Sequence, residues 1–147
     1  MCILFLEVIE IFYLLVAGSR TYTDYDEMCQ VLDFLLQKQV AQNNHIVIVS
    51  GGAKGADSLA ERDADERGYG KHIMPADWNT YGKSAGYRRN EQMHIYISTP
   101  SDRRRGCVCF WDEQSRGTKH NFDLSSKFNT PLVIYSTVRH CYIKHVA

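Results

Sequence analysis

The chain has 147 residues, enough for one domain with a full core, since chains of this size bury roughly 68–70% of their unfolded surface. Seventeen basic residues balance seventeen acidic ones, and 44% hydrophobic with 23% charged residues is ordinary for a soluble globular protein. A neutral chain releases few counterions from a polyanion, which argues against a non-specific nucleic-acid binder or a protein drawn to an anionic membrane. A locally positive site for a small anion stays open.

Met1–Val16 is strongly apolar, but Glu7 and Glu10 interrupt it, no lysine or arginine precedes it, and no small-residue cleavage site follows. Neither a signal peptide nor a membrane span is expected. Met1–Ile11 reads as an apolar extension ahead of a domain spanning 12–136. Phe12–Ala17 is a continuous apolar run, as in a strand buried on both faces. Asp24 then offers an N-cap, with Glu27 in the capping-box position. Met28, Val31, Leu32, Leu35 and Leu36 form an amphipathic stripe that ends by Asn43-Asn44.

Ile46–Val49 is the second buried strand and runs into the turn Ser50-Gly51-Gly52-Ala53-Lys54-Gly55-Ala56-Asp57. A helix from about Ala56 to Arg67 ends at Gly68, a residue suited to a left-handed cap. His72–Met74 is a short third strand, followed by a polar loop with Trp78, Tyr81, Gly82 and Gly86 and a helix from about Tyr87 to Ile97. Cys107–Trp111 is the fourth strand; Ser115-Arg116-Gly117-Thr118 opens a helix to about Lys127, and Leu132–Tyr135 is the fifth strand. The tail, 137–147, either adds an edge strand or runs over the surface. This alternation predicts an α/β fold: a three-layer, Rossmann-like domain with a mostly parallel sheet of about five strands and helices on both faces.

Cys2, Cys29, Cys107, Cys109 and Cys141 are odd in number, and none forms a Cys-x-x-Cys pair. They read as buried thiols of a cytoplasmic protein, and the six histidines show no metal-ligand spacing with them, so no metal is expected.

Ligands of open parallel sheets sit beyond the carboxyl ends of the strands, where strand order reverses. Four turns leave such ends: Gly18-Ser19-Arg20, Ser50–Asp57, Ala76-Asp77-Trp78 and Ser115–Thr118. The second carries the strongest signal. Its glycines let backbone approach an anion, and the first N–H groups of the following helix have no intrahelical partner. It matches neither the G-x-G-x-x-G fingerprint nor a P-loop, so Lys54 receives no Walker role. Asp57 either stabilises the helix dipole or binds a ribose hydroxyl. Arg88, Arg89 and Asn90 open a helix near the same edge, where a guanidinium could pair with phosphate or merely face solvent. Arg103-Arg104-Arg105 reads as a solvated loop at the opposite edge. Trp78, Tyr81 and Trp111 either stack on a base or pack at the core and rim.

Val16-Ala17-Gly18-Ser19-Arg20, Ser50–Asp57, Asp77-Trp78, Ala85-Gly86, Arg89-Asn90, Met93, Phe110-Trp111 and Ser115–Thr118 together resemble the YspA-like branch of the SLOG superfamily, over about Leu14 to Tyr135. This superfamily of Rossmann-like domains includes DprA/Smf DNA-processing proteins, Lonely-guy phosphoribohydrolases and nucleotide or ADP-ribose sensors. The resemblance implies a nucleotide-derived ligand, with phosphate at Gly51–Asp57 and at Gly117-Thr118, and a homo-oligomer. Gly18, Ser19, Arg20, Asp77, Trp78, Asn90 and Ser115 complete the expected ligand shell. Arg89 stands where the phosphoribohydrolases carry a catalytic arginine, but Asn121 replaces the glutamate of their P-G-G-x-G-T-x-x-E motif. An amide cannot act as a carboxylate base. The leading expectation is therefore a sensor or sequestering domain for a nucleotide or ADP-ribose-like ligand. An N-glycosidic hydrolase is the alternative, with Asp57 or Asp77 substituting for the glutamate, and a DprA-like role is the weakest reading.

Overall fold

A computed structural model describes residues 9–146. In chain order it contains β1 (Ile11–Gly18), α1 (Tyr25–Ala41), β2 (His45–Ser50), α2 (Ala56–Arg67), β3 (Gly70–Ile73), a single-turn α3 (Trp78–Tyr81), α4 (Ala85–Ile97), β4 (Arg105–Trp111), α5 (Arg116–Lys127), β5 (Leu132–Ser136) and β6 (Cys141–Val146). The sheet order is β3-β2-β1-β4-β5-β6, with β1 to β5 parallel and β6 antiparallel at one edge. This is the doubly wound α/β arrangement that the alternating elements predict.

Successive side chains of a strand point to opposite faces, and the two cores follow that period. Leu14 and Val16 of β1, with Val108 and Phe110 of β4, pack against Met28, Leu32 and Leu36 of α1 and Ala56, Ala60 and Ala64 of α2. Leu15 and Ala17, with Cys107 and Cys109, face the other way, onto Met93 and Ile97 of α4 and Phe122 of α5. The three alanines let α2 lie close on the sheet. Phe110, fully buried, stacks on Tyr22 at 5.5 Å.

Several local features differ from the sequence reading. The first strand begins at Ile11, which pairs with His45, and the Glu10 carbonyl accepts from His45 N–H at 2.9 Å. Glu10 also forms an ion pair with Arg104. The inner end of the apolar extension thus belongs to the sheet, whereas 1–8 lie outside the described residues. The third strand comes earlier, with Gly70 paired to Val47. The polar loop is helical: Asp77 caps α3 by accepting from Thr80 N–H at 3.1 Å, and a 3-10 turn, Gly82–Ser84, leads straight into α4, so Gly86 is a helical residue. One turn of helix is too short to show a period in sequence.

Arg105 is not a solvated loop residue. It opens β4 and donates to the Phe128 carbonyl at 2.8 Å and to Thr130 Oγ1 at 3.0 Å, tying the end of α5 to the sheet. The tail supplies a sixth strand, turned back at His140 with a φ of +54°. Cys141 on that strand is exposed and Cys29 is half-buried, which corrects the uniform burial expected; Cys107 and Cys109 are buried with sulfurs 3.9 Å apart. Among the described residues no helix is long and apolar enough to cross a membrane.

Gly55, with φ +78° and ψ −127°, occupies backbone space open essentially to glycine, and a Cβ there would stand 2.5 Å from the Arg20 carbonyl carbon. Gly68 has a similar φ of +75°, but its Cβ would meet nothing within 4 Å. Gly55→Ala is expected to lower stability by more than about 2 kcal/mol and Gly68→Ala by about 1 kcal/mol, read from urea denaturation midpoints at unchanged slope.

Candidate functional site

Strand order reverses between β1 and β4, whose connections leave to opposite faces of the sheet. A cavity of about 440 Å³ opens at that point, beyond the carboxyl ends of both strands. Its floor is Ala17 and Gly18, and its walls come from the turn after β1, the heads of α2, α4 and α5, and Asp112 after β4.

Two turns meet in this floor. Ser19 N–H donates to the Phe110 carbonyl at 3.1 Å, and the Ser19 carbonyl accepts from Ala56 N–H at 3.0 Å. The glycine-rich turn spends three of its N–H groups on the protein itself. Besides the Ala56 N–H spent on Ser19, Ala53 N–H donates to the Asp57 carboxylate at 3.1 Å. Ser50 donates to Glu61 at 2.7 Å and accepts from Gly52 N–H at 3.1 Å. Ser50, Gly55 and Ala56 thus set backbone geometry and line no cavity, while Ala53 and Asp57 reach the first one. Gly51 and Gly52 line a second groove, also about 440 Å³, together with Lys54, Pro75 and Ala76. The two spaces share Arg20, Ala53, Trp78 and Arg89. Asp77 is exposed, spends its carboxylate on capping, and lines neither.

The opposite wall is the head of α5. Ser115 caps it, accepting from Thr118 N–H at 3.3 Å. Gly117 lines the cavity, and a Cβ on it would meet nothing within 4 Å. Asn90 Nδ2 donates to the Gly117 carbonyl at 3.2 Å, and Asn121 Nδ2 donates to the same carbonyl at 3.3 Å. With its amide nitrogen on a carbonyl, Asn121 turns its oxygen to His94, whose Nε2–H donates at 3.0 Å. His94 Nδ1 and Ser125 Oγ lie buried beneath without a partner among the described residues.

Arg89 is 9% exposed; its Nε donates to Asn90 Oδ1 at 3.0 Å and its Nη1 to the Gly51 carbonyl. Burial lowers its pKa, with Asp57 acting against the drop, and it remains a cation. The two cavity carboxyls behave in opposite ways. Burial opposes charge on Asp112, but the N–H groups of Ser115 and Gln114 outweigh it and hold the acid below its ordinary range. Asp57 has only the Ala53 N–H; burial dominates, despite Arg89, and its pKa is pushed up to about 6. A carboxyl displaced toward neutrality in a cleft marks a functional candidate.

Among the aromatics, Trp78 (49% exposed) and Tyr87 (45% exposed) form the rim of the cavity, with Arg20 lying 5.6 Å from the Trp78 ring. Trp111 packs instead, edge-on to Phe122 and donating to the Ser115 carbonyl at 3.1 Å, and Tyr81 lies under Arg88. Thr21, Lys83, Tyr87 and Asp112 line the cavity without having been singled out from sequence. Asp112 was within reach, being the polar residue directly after a strand end. Lys83 and Tyr87 come into place only because the α3 segment is helical.

The sequence model of the YspA, cpYpsA-related SLOG family matches residues 12–81. The chain is also 33% identical to the Gene 61 protein of Mycobacterium phage D29, over 81% of this chain and 92% of that protein. The chain belongs to the YspA, cpYpsA-related SLOG family. Membership puts it among Rossmann-like domains of nucleotide-related function. The segment matched by the family model holds the two turns joined at Ser19, while Arg89 and Ser115–Thr118 of this SLOG chain lie beyond it. A predicted subunit of tRNA methyltransferase from Methanocaldococcus jannaschii DSM is similar at 14% identity over 86% of this chain and 67% of that one. Its TM-score is 0.37.

The raised pKa of Asp57 has a consequence for stability. The unfolded carboxyl ionises near 3.8 and the folded one near 6, so the penalty is absent below the lower value, grows between them, and is complete above the upper. Asp57→Asn removes the charge and keeps the shape. The variant is expected to be more stable than the parent at pH 7.5, by about 2–3 kcal/mol in urea unfolding, and equal to it at pH 3.5.

Proposed function

We propose that this SLOG domain binds a nucleotide or nucleotide-derived, ADP-ribose-like phosphate ligand in the cavity between β1 and β4, as a sensor or sequestering module of the cytoplasm. The observation that carries the reading is the make-up of one cavity. A helix head with Gly117 and Thr118 faces Arg20 and Arg89 across a floor of small residues, and two aromatic rings stand at the rim.

Each part has a chemical counterpart in such a ligand. Charge-assisted hydrogen bonds from arginine and from helix-head N–H groups suit phosphate oxygens, at roughly 1.5–3 kcal/mol each. An exposed indole or phenol ring suits a base face. Two or three phosphate contacts and one stacked ring supply the roughly 8 kcal/mol of a micromolar complex, once association costs are offset. The phosphate is assigned to the α5 head rather than to the glycine-rich turn, because the buried Asp57 carboxylate in the first turn of α2 repels an anion, and Asp57 and Ser19 take the Ala53 and Ala56 N–H groups.

A second reading, cleavage of a nucleotide N-glycosidic bond, is favoured by Asp57 alone, since an acid with pKa about 6 can both donate and accept a proton near neutrality. Incubation with nucleoside monophosphates, NAD and ADP-ribose separates the two. Thermal stabilisation without released base supports binding only; steady release of base that is lost in Asp57→Asn supports hydrolysis.

Gly117 supplies the test of location. Gly52 is a poorer choice, because its φ of +69° and the Ile73 side chain 3.0 Å from its Cβ position make any substitution there a test of folding too. Gly117→Leu is expected to melt within about 3 °C of the parent and to lose the ligand-induced rise in Tm, since bound ligand stabilises by RT ln(1 + [L]/Kd). An undiminished rise would move the phosphate site elsewhere.

A further inference from the structure

Asp57 sits awkwardly in an anion site. It is 6% exposed, lies in the first turn of α2, and lines the same cavity as Arg20 and Arg89. A phosphate would be repelled there, so the carboxylate serves another part of the ligand. One of its oxygens accepts from Ala53 N–H. The other receives no hydrogen bond among the described residues, and the side chain lines the cavity. Asp112, the second cavity carboxylate, takes the N–H groups of Gln114 at 3.0 Å and Ser115 at 2.7 Å on one oxygen and is only half-buried, so water can solvate the other. Asp57 is thus the more deeply buried of the two acceptors with an open position, and the one with a single N–H partner.

The depth of the groups orders the ligand. Trp78 and Tyr87 are near half exposed at the rim, whereas Asp57, Thr118 and Asn121 are buried. A phosphate held at the α5 head and a base at the rim leave the connecting sugar facing the α2 wall. The neighbouring guanidinium groups of Arg20 and Arg89 disfavour a cationic donor opposite Asp57, so the donor is a neutral hydroxyl.

Resting on the ligand reading above, we propose that the open carboxylate oxygen of Asp57 accepts a ribose hydroxyl, so that the cavity selects ribonucleotides over their deoxy counterparts. A hydrogen bond to a charged acceptor is worth about a 10–100-fold difference in affinity, because the deoxy ligand leaves the carboxylate desolvated and unpaired. In Asp57→Asn the acceptor charge is gone and the repulsion of phosphate goes with it. That variant loses the preference without losing affinity for the deoxy ligand.

The experiment is isothermal titration of the full chain with AMP, GMP, CMP and UMP, their 2′-deoxy counterparts, and 3′-deoxy-AMP. The result expected is at least one ribonucleotide binding 10-fold or more tightly than a deoxy counterpart. The ratio falls below 3-fold in Asp57→Asn, while the Kd of the deoxy ligand stays the same or tightens. Equal Kd values for ribo and deoxy ligands in the parent protein overturn this inference and leave the ligand reading standing. A preference that persists in Asp57→Asn also overturns it, by placing the hydroxyl on another residue. Absence of binding by all of these nucleotides, and by ADP-ribose, overturns both.

Discussion

The peptide unit of Ser19 is where the two halves of the sheet and the first layer of helices are tied together. Its N–H bonds to Phe110 of β4 and its carbonyl takes the Ala56 N–H at the head of α2, across gaps that leave no room for side chains. A Cβ on Gly18 would lie 2.6 Å from both the Phe110 carbonyl and Ala56 Cβ, and one on Gly55 would strike the Ser19 and Arg20 backbone. The residues that follow each contact are therefore fixed in place: Arg20 and Thr21 after Ser19, Asp57 after Ala56, Trp111 and Asp112 after Phe110. The cavity is what remains between backbones drawn this close, and Arg20, Thr21, Asp57 and Asp112 enter its lining from one- and two-residue offsets along three segments.

That closeness also explains the uneven electrostatics. The N–H groups of Gly52, Ala53 and Ala56 in the α2 turn are spent in holding the turns together. Asp57 is carried into a buried place with a single N–H for company, whereas Asp112 sits where the chain bends and finds two. Arg89 is held by the Gly51 carbonyl and by Asn90, which fixes its direction within the cavity wall. A buried carboxylate of this kind weakens the fold at neutral pH, and sites retained at such a cost are characteristic of function.

Much of the architecture was legible in the sequence because it rests on period-2 and period-3.6 patterns of apolar residues, which tertiary context reinforces. The α1 stripe and the five parallel strands fall close to where those patterns place them. The capping box was legible by half: Glu27 N–H does donate to Asp24 at 3.0 Å. The Glu27 carboxylate, however, does not reach back. Burial works against its charge, but hydrogen bonds from Tyr22, Tyr135 and His140 hold it ionised below its ordinary range. Partners 5 to 113 positions away carry no local signal. The exposed β6 was undecidable for a related reason, since its pairing comes from the hairpin turn at His140 and not from a buried face. At the site, the glycine-rich turn reads as an anion cradle from composition alone. Only the fold reveals that hydroxyl, carbonyl and carboxylate oxygens already take the N–H groups of Gly52, Ala56 and Ala53.

The floor and the rim of the cavity differ in how much buried surface holds them. Ala17 and Gly18 end a strand paired on both sides, between two apolar cores. The Trp78 segment and the 3-10 turn after it bury no residue, and are kept in place by the Asp77 cap, by Arg20 over the indole, and by Gly86 beneath it. In the language of amide exchange, the floor belongs to the unit that opens only with the whole domain, and the rim to one that opens locally at far smaller free energy. The rim can then move on the timescale of loop motion while the geometry of the floor stays intact, which is the division of labour the proposed ligand would need.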